Sequence, residues 1–110
     1  MTYTLKLNDG RVAAQLIAGS DRAAELGAEH VLQVSNVHVP LEEAILERSG
    51  HVTGPENGSA GIVYDTPYAV RQHEDLTFQH DQGRTAKYLE NALNSEAAAV
   101  REIARRELHL

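Results

Sequence analysis

The chain has 110 residues, 42% hydrophobic and 24% charged but only 5% aromatic, which fits one folded domain whose thin core is mostly Ala, Val, Leu and Ile. It contains no cysteine, which excludes a disulfide framework, a thiolate zinc site and a cysteine nucleophile. Sixteen acidic against ten basic residues give a net charge of -6, a balance that opposes tight, sequence-independent binding to a polyphosphate backbone.

No apolar run approaches the roughly 20 residues of a membrane span, and Met1-Thr2-Tyr3-Thr4-Leu5 lacks the basic-then-apolar layout of a signal peptide. The expectation is a soluble single domain over residues 1–110, with no linker, repeat or low-complexity run to divide it.

In Thr2-Tyr3-Thr4-Leu5-Lys6-Leu7, strict alternation puts Tyr3, Leu5 and Leu7 on one side of a short strand, which Asn8-Asp9-Gly10 punctuates. From Arg11 to about Asn36, Val12, Leu16, Ala23, Leu26, His30, Val31 and Val34 recur at roughly helical spacing. Gly19-Ser20-Asp21 interrupts this run. It reads as one kinked helix or as two, and the capping potential of Ser20 or Asp21 favours two.

Beyond Pro40, Leu41 to Gly50 shows weak periodicity with Gly50 as a natural stop. His51-Val52-Thr53 and Ala60-Gly61-Ile62-Val63-Tyr64 flank Gly54-Pro55-Glu56-Asn57-Gly58, and β-branched runs on either side of such a turn predict a hairpin. Pro67 to Glu74 fits a short helix with Pro at its first position and Thr66 as cap, and Leu76-Thr77-Phe78 a third short strand. The turn around Pro55 to Ser59 and the loop Asp81 to Arg84 are expected to be the most mobile parts.

The last segment is the clearest helix. Thr85 can cap it, and Leu89, Leu93, Ala97, Val100, Ala104 and Leu108 form one apolar stripe. Glu102 and Arg106 are set for an i, i+4 ion pair. Arg101, Arg105 and Arg106 gather at the end of this helix, where interaction with its negative dipole is favoured over a local basic patch. The predicted fold is α+β: a small antiparallel sheet of three or four strands with a hairpin, packed by an N-terminal helix or helix pair and a long C-terminal helix.

Chemistry has to be sought among six histidines and the acidic residues, because the chain has no glycine-rich phosphate loop, nucleophile elbow or His-Glu-x-x-His helix. His73-Glu74 and His80-Asp81 are the one candidate metal constellation. Adjacent side chains on a strand point to opposite faces, and the seven-residue gap matches no established ligand spacing, so no metal or cofactor is assigned. Glu42-Glu43 and Glu47 read as a solvated helix face rather than an acid pair for hydrolysis. Tyr64 and Tyr68 bracket Pro67 and suit either core packing, with hydroxyls satisfied at its edge, or a turn at a subunit contact.

One set of residues goes further. Val39-Pro40-Leu41-Glu42-Glu43, Leu46, Ser49-Gly50, Tyr64-Asp65-Thr66-Pro67-Tyr68-Ala69, Gln72-His73-Glu74, Phe78, His80 and Lys87-Tyr88-Leu89-Glu90 occur in an order that resembles the neck or tail-completion family of long-tailed double-stranded DNA phages. Members are also termed minor capsid or head-tail connector proteins. The similarity runs from about Asp21 to the C-terminus, with Thr66-Pro67-Tyr68-Ala69 as its strongest element. The chain departs from the pattern at Ala44-Ile45, where the family commonly carries glycine before the leucine.

The resemblance implies a non-enzymatic virion protein that forms a homo-oligomeric ring, expected to be a hexamer, at the head-to-tail junction and is assembled in the bacterial cytoplasm. Its partners would be the adjacent head-closure or connector protein and a tail-terminator or tail-tube protein. DNA would pass through without sequence-specific binding, and no membrane would be involved. The subunit contacts expected on this basis are Pro67, Tyr68, His73 and Phe78, with Lys87, Tyr88 and the C-terminal helix docking against a neighbour. A net negative subunit suits a conduit through which DNA must slide, and ring closure would protect sheet edges and stabilise a thin-cored domain. The alternatives within the same neck are a tail terminator or a head-closure stopper. Outside that class they are a small metal-binding enzyme built on His73, Glu74, His80 and Asp81, or a nucleic-acid-binding regulator, which the charge balance opposes.

Overall fold

The computed structural model of the chain describes residues 2–8, 11–38, 50–65 and 88–109. Within them run, in chain order, β1 (Thr2–Asn8), β2 (Arg11–Ile17), α1 (Asp21–His38), β3 (His51–Glu56), β4 (Ser59–Asp65), α2 (Tyr88–Ser95) and α3 (Ala97–Glu107). The architecture is α+β, as the pattern predicts. The four strands form one antiparallel sheet in the order β1-β2-β4-β3, and the helices pack on one of its faces.

The segment Arg11–Ile17 is a strand, which corrects the expectation of a helix from Arg11. Val12 and Leu16 are four apart, a spacing that suits one helical turn and equally the same face of a strand. The ladders on both sides decide it: Thr2↔Ile17 through Asn8↔Arg11 on one side, and Arg11↔Asp65 through Ile17↔Ser59 on the other. Val12, Ala14 and Leu16 consequently all point into the core.

The β3–β4 hairpin forms as expected, with its turn at the C-terminal end of the segment 54–58. Asn57 and Gly58 occupy the turn with φ of 51° and 78°, the pair of positive values that a tight type I′ connection requires. Gly54 and Pro55 lie inside β3 instead, where the register shifts between Thr53 and Glu56. A Cβ on Gly58 would come within 3.2 Å of the Gly19 backbone, so both the conformation and the close approach call for glycine.

Ser20 starts α1. Its hydroxyl accepts the Ala23 N–H at 3.1 Å, satisfying one of the free donors of the first turn. Asp21 beside it accepts the Gly58 N–H at 2.7 Å, while the Gly58 carbonyl accepts the Ala18 N–H at 3.0 Å. Two bonds thereby fasten the β3–β4 turn to the start of the helix. Along α1 the buried residues Ala24, Gly27, Ala28, Val31 and Ser35 follow a helical period and are nearly all small, which lets the helix sit close to the sheet and to the C-terminal helices.

The C-terminal stripe is helical, but as two segments rather than one. Leu89, Leu93 and Val100 are buried and Ala104 is half-buried, whereas Leu108 lies at the exposed end. At Glu96, φ is -101° and ψ is 10°. The Glu96 N–H still donates to Ala92 at 2.9 Å and the Val100 N–H to Glu96 at 3.0 Å, so the i to i−4 bonding continues across a local bend.

The core is small-residue rich, as composition predicts. Its largest members are Tyr64, Tyr88, Leu16, Ile62, Leu89 and Leu93. The expected helices at Leu41 to Gly50 and Pro67 to Glu74, the strand at Leu76 to Phe78, the Thr85 cap and the loop Asp81 to Arg84 lie outside the described residues, Gly50 excepted. No helix among the described residues is long and apolar enough to cross a membrane.

Candidate functional site

The face of the sheet opposite the helices is exposed to solvent. Register places Thr4, Gln15, Gly61 and Thr53 in one row across the four strands, and Lys6, Ala13, Val63 and His51 in the next. The two central strands carry small side chains here, Ala13, Ser59 and Gly61, between the longer Lys6 on one flank and Thr53 on the other. The result is a shallow trough of about 460 Å³. Gly61 belongs to it for a steric reason, since a Cβ there would collide with the Thr53 side chain.

Gln15 and Ser59 in this trough form a short hydrogen-bonded chain. Gln15 donates through Nε2 to the Ser59 hydroxyl at 3.1 Å, and the Ser59 hydroxyl donates to the Glu56 carbonyl at 3.0 Å. The hydroxyl proton is thus committed to a carbonyl and not to a base, so this geometry does not activate Ser59 as a nucleophile. A broad, shallow surface of small and short polar side chains is suited to meeting another surface. Ile17, at the end of β2 on this face, is 47% exposed and adds an apolar contact point.

A second polar group joins the helices. His30 on α1 lies 2.7 Å through Nε2 from Oε1 of Glu96, the residue at the α2–α3 bend. The other carboxylate oxygen accepts the Ser95 hydroxyl at 3.2 Å. The hydrogen bond with His30 holds the Glu96 carboxyl below its ordinary range, against the opposing effect of desolvation, and Ser95 and the His30 charge act in the same sense. With both oxygens occupied, Glu96 latches the bend to α1. Beside it Leu26, Glu29, His30, Leu32 and Gln33 line an open depression of about 470 Å³ on α1.

Arg105 and Arg106 are engaged within their own helix. Arg105 clasps Glu102 at 2.6 and 2.9 Å, and Arg106 reaches the same carboxylate at 3.2 Å, giving the expected i, i+4 pair together with an i, i+3 pair. The Arg105 hydrogen bond, outweighing desolvation and aided by the charges of Arg105 and Arg106, holds the Glu102 carboxyl down to about 2. Arg105 and Arg106 sit in the last turn, where the helix dipole favours them.

Of the residues expected at subunit contacts, Pro67, Tyr68, His73, Phe78 and Lys87 lie outside the described residues. Tyr88 is fully buried in this chain, packed against Tyr64, so its side chain belongs to the core and not to a docking surface. Tyr64 resolves in the same direction: it is buried, its hydroxyl donates its one proton to Oδ1 of Asn36, and the Ser35 hydroxyl bonds to the phenol oxygen at 2.9 Å. His73, Glu74, His80, Asp81, Glu42, Glu43 and Glu47 also lie outside the described residues. Among the described residues no three His, Asp or Glu side chains converge as metal ligands would.

The trough residues were missed in the sequence because Ala13 and Ile17 are themselves apolar. They mask the alternation that Gln15 alone would have signalled in β2. Comparisons with protein-family models, with curated proteins and with solved structures found no match for the chain.

Proposed function

We propose that this chain is a structural virion protein of a long-tailed phage, a subunit of a ring at the head-to-tail junction that joins the portal-connector complex to the tail and leaves a channel for DNA. The resemblance carried by Thr66-Pro67-Tyr68-Ala69 and the flanking Tyr64-Asp65, Gln72-His73-Glu74 and Lys87-Tyr88-Leu89-Glu90 motifs supports the reading. The structural observation in its favour is the one-sided sheet. Helices close one face, while the other offers a trough of about 460 Å³ in which Gln15, Ser59 and the Glu56 carbonyl are bonded to one another.

A ring subunit must give surface to two neighbours without losing its own core, and a sheet closed on one face only meets that requirement. The net charge of -6 supports a conduit role, because attraction to phosphate would hold DNA back.

The test is negative-stain electron microscopy of a lysate from the phage with this gene deleted. Separate DNA-filled heads and finished tails are expected, restored to joined particles by supplying the gene in trans. Intact infectious virions would overturn the proposal.

A further inference from the structure

We propose that the edge of β1 opposite β2 is a self-association site, taking β1 of a second copy of this chain antiparallel about a two-fold axis at Leu5. This interface does not depend on the ring reading. It rests on the direction of backbone groups, on the side-chain pattern of one strand and on the contrast between the two sheet edges.

Backbone direction follows from one bond. The Ala18 N–H donates to the Gly58 carbonyl, so the even-numbered residues of β2 turn their polar groups toward β4 and the odd-numbered ones toward β1. The β1 partners of those odd residues are 2, 4, 6 and 8. The N–H and C=O groups of residues 3, 5 and 7 therefore face outward. Among the described residues β1 has one strand neighbour, β2. A two-fold axis at Leu5 sets residue 3 against residue 7 and residue 5 against itself, all in the hydrogen-bonded class of antiparallel pair, for about six backbone bonds.

The side chains agree with that register. Tyr3 and Leu5 lie on the helix-covered face and pack against the core, so the apolar layer would continue from one copy into the next. On the exposed face Thr4 of one copy falls opposite Lys6 of the other. The single charge of the strand then meets a neutral residue, and like charges are not opposed.

The contrast between edges supplies the remaining argument. β3 is interrupted by Gly54, Pro55 and a register shift, devices that blunt an edge. β1 pairs in unbroken register over its whole length, carries no proline, and turns Lys6 toward the exposed face rather than along the edge.

Sedimentation equilibrium of the full chain, from micromolar to millimolar concentration, tests the site with Thr4 variants. Thr4 is exposed and faces away from the core, so changing it leaves the fold intact. Wild type is expected to reach twice the 12.0 kDa subunit mass. T4K places lysine opposite Lys6 twice per dimer and should raise the dissociation constant about three- to tenfold, whereas T4E should lower it by a similar factor. The T4K/K6E double variant should recover wild-type affinity.

A single-chain mass at all concentrations for both wild type and T4E would overturn the site, as would self-association equally strong in T4K and T4E. A ring-sized species indifferent to residue 4 would overturn the β1 interface and leave the ring reading standing. A Thr4-sensitive dimer together with intact virions after gene deletion would do the reverse.

Discussion

The rings of Tyr64 and Tyr88 meet edge to face, with centroids 5.0 Å apart and planes at 81°, and so join the first residue of α2 to the inner strand β4. Both side chains are fully buried, and an aromatic pair of this geometry contributes about 0.5–1.5 kcal/mol beyond the area it removes from water. The contact secures the C-terminal helices to the sheet at their entry point.

Tyr88→Ala should therefore destabilise the isolated chain by about 3–5 kcal/mol, read from urea unfolding, and should lower particle yield only in proportion to that loss. Tyr68→Ala, at a residue assigned to a subunit contact by the resemblance, should lower particle yield more than it lowers the melting temperature of the free subunit. Equal losses in the two assays would remove Tyr68 from the interface.

The Tyr64 hydroxyl is the bonding partner of Ser35, a fully buried polar residue of α1. Tyr64→Phe keeps the ring contact but leaves the Ser35 hydroxyl and the Asn36 side-chain carbonyl without that partner. It should cost about 1–3 kcal/mol, and Ser35→Ala in the same background should cost little more. Additive losses in that double-mutant cycle would show that the two groups do not depend on each other.

Gly27→Ala sets helix propensity against packing. Alanine gains about 1 kcal/mol over glycine in a helix interior. A Cβ at Gly27, however, would stand 2.9 Å from a Val100 methyl and 3.1 Å from a Leu16 methyl, at side chains that are both fully buried. Overpacking of this kind costs about 1–3 kcal/mol, so the net outcome expected in chemical denaturation is a loss of stability. A gain would mean that α1 and α3 can move apart freely.

Acid should weaken the fold through two carboxylates. Glu102 is held at about 2 by Arg105 and Arg106, below its unfolded value of 4.5, and Glu96 is lowered by its bond with His30. A carboxylate depressed in the folded state contributes stability that is fully present above its unfolded value. That contribution is lost as pH falls from about 4.5 toward the folded value. The melting temperature should decline across this window, and the double variant Glu96→Gln, Glu102→Gln should decline less steeply. Glu102 is exposed to solvent, so added salt should mute its share.

Much of the fold was legible because its signals are local. Ser20 ahead of an apolar-periodic run marked the start of α1, Asn57-Gly58 between β-branched runs marked a hairpin, and the Leu89-Leu93-Val100 stripe with Glu102 and Arg106 marked the C-terminal helix. Caps, tight turns and i, i+4 pairs act within a few residues and leave their imprint in the chain directly.

The rest was decided by contacts between distant segments. The spacing of Val12 and Leu16 suits helix and strand alike, and only the ladders with β1 and β4 make Arg11–Ile17 a strand. Tyr88 could have faced a neighbour, yet it fills the core because Tyr64 is there to meet it. The latch at Glu96 needs His30, 66 residues away, and the exposed trough exists only once four strands are in register. By itself the sequence determined the start of α1, the β3–β4 hairpin and the C-terminal helical stripe, through short-range sterics and hydrogen bonding. The tertiary structure alone decided which faces are buried and which remain open to a partner, because burial depends on what the rest of the chain brings alongside.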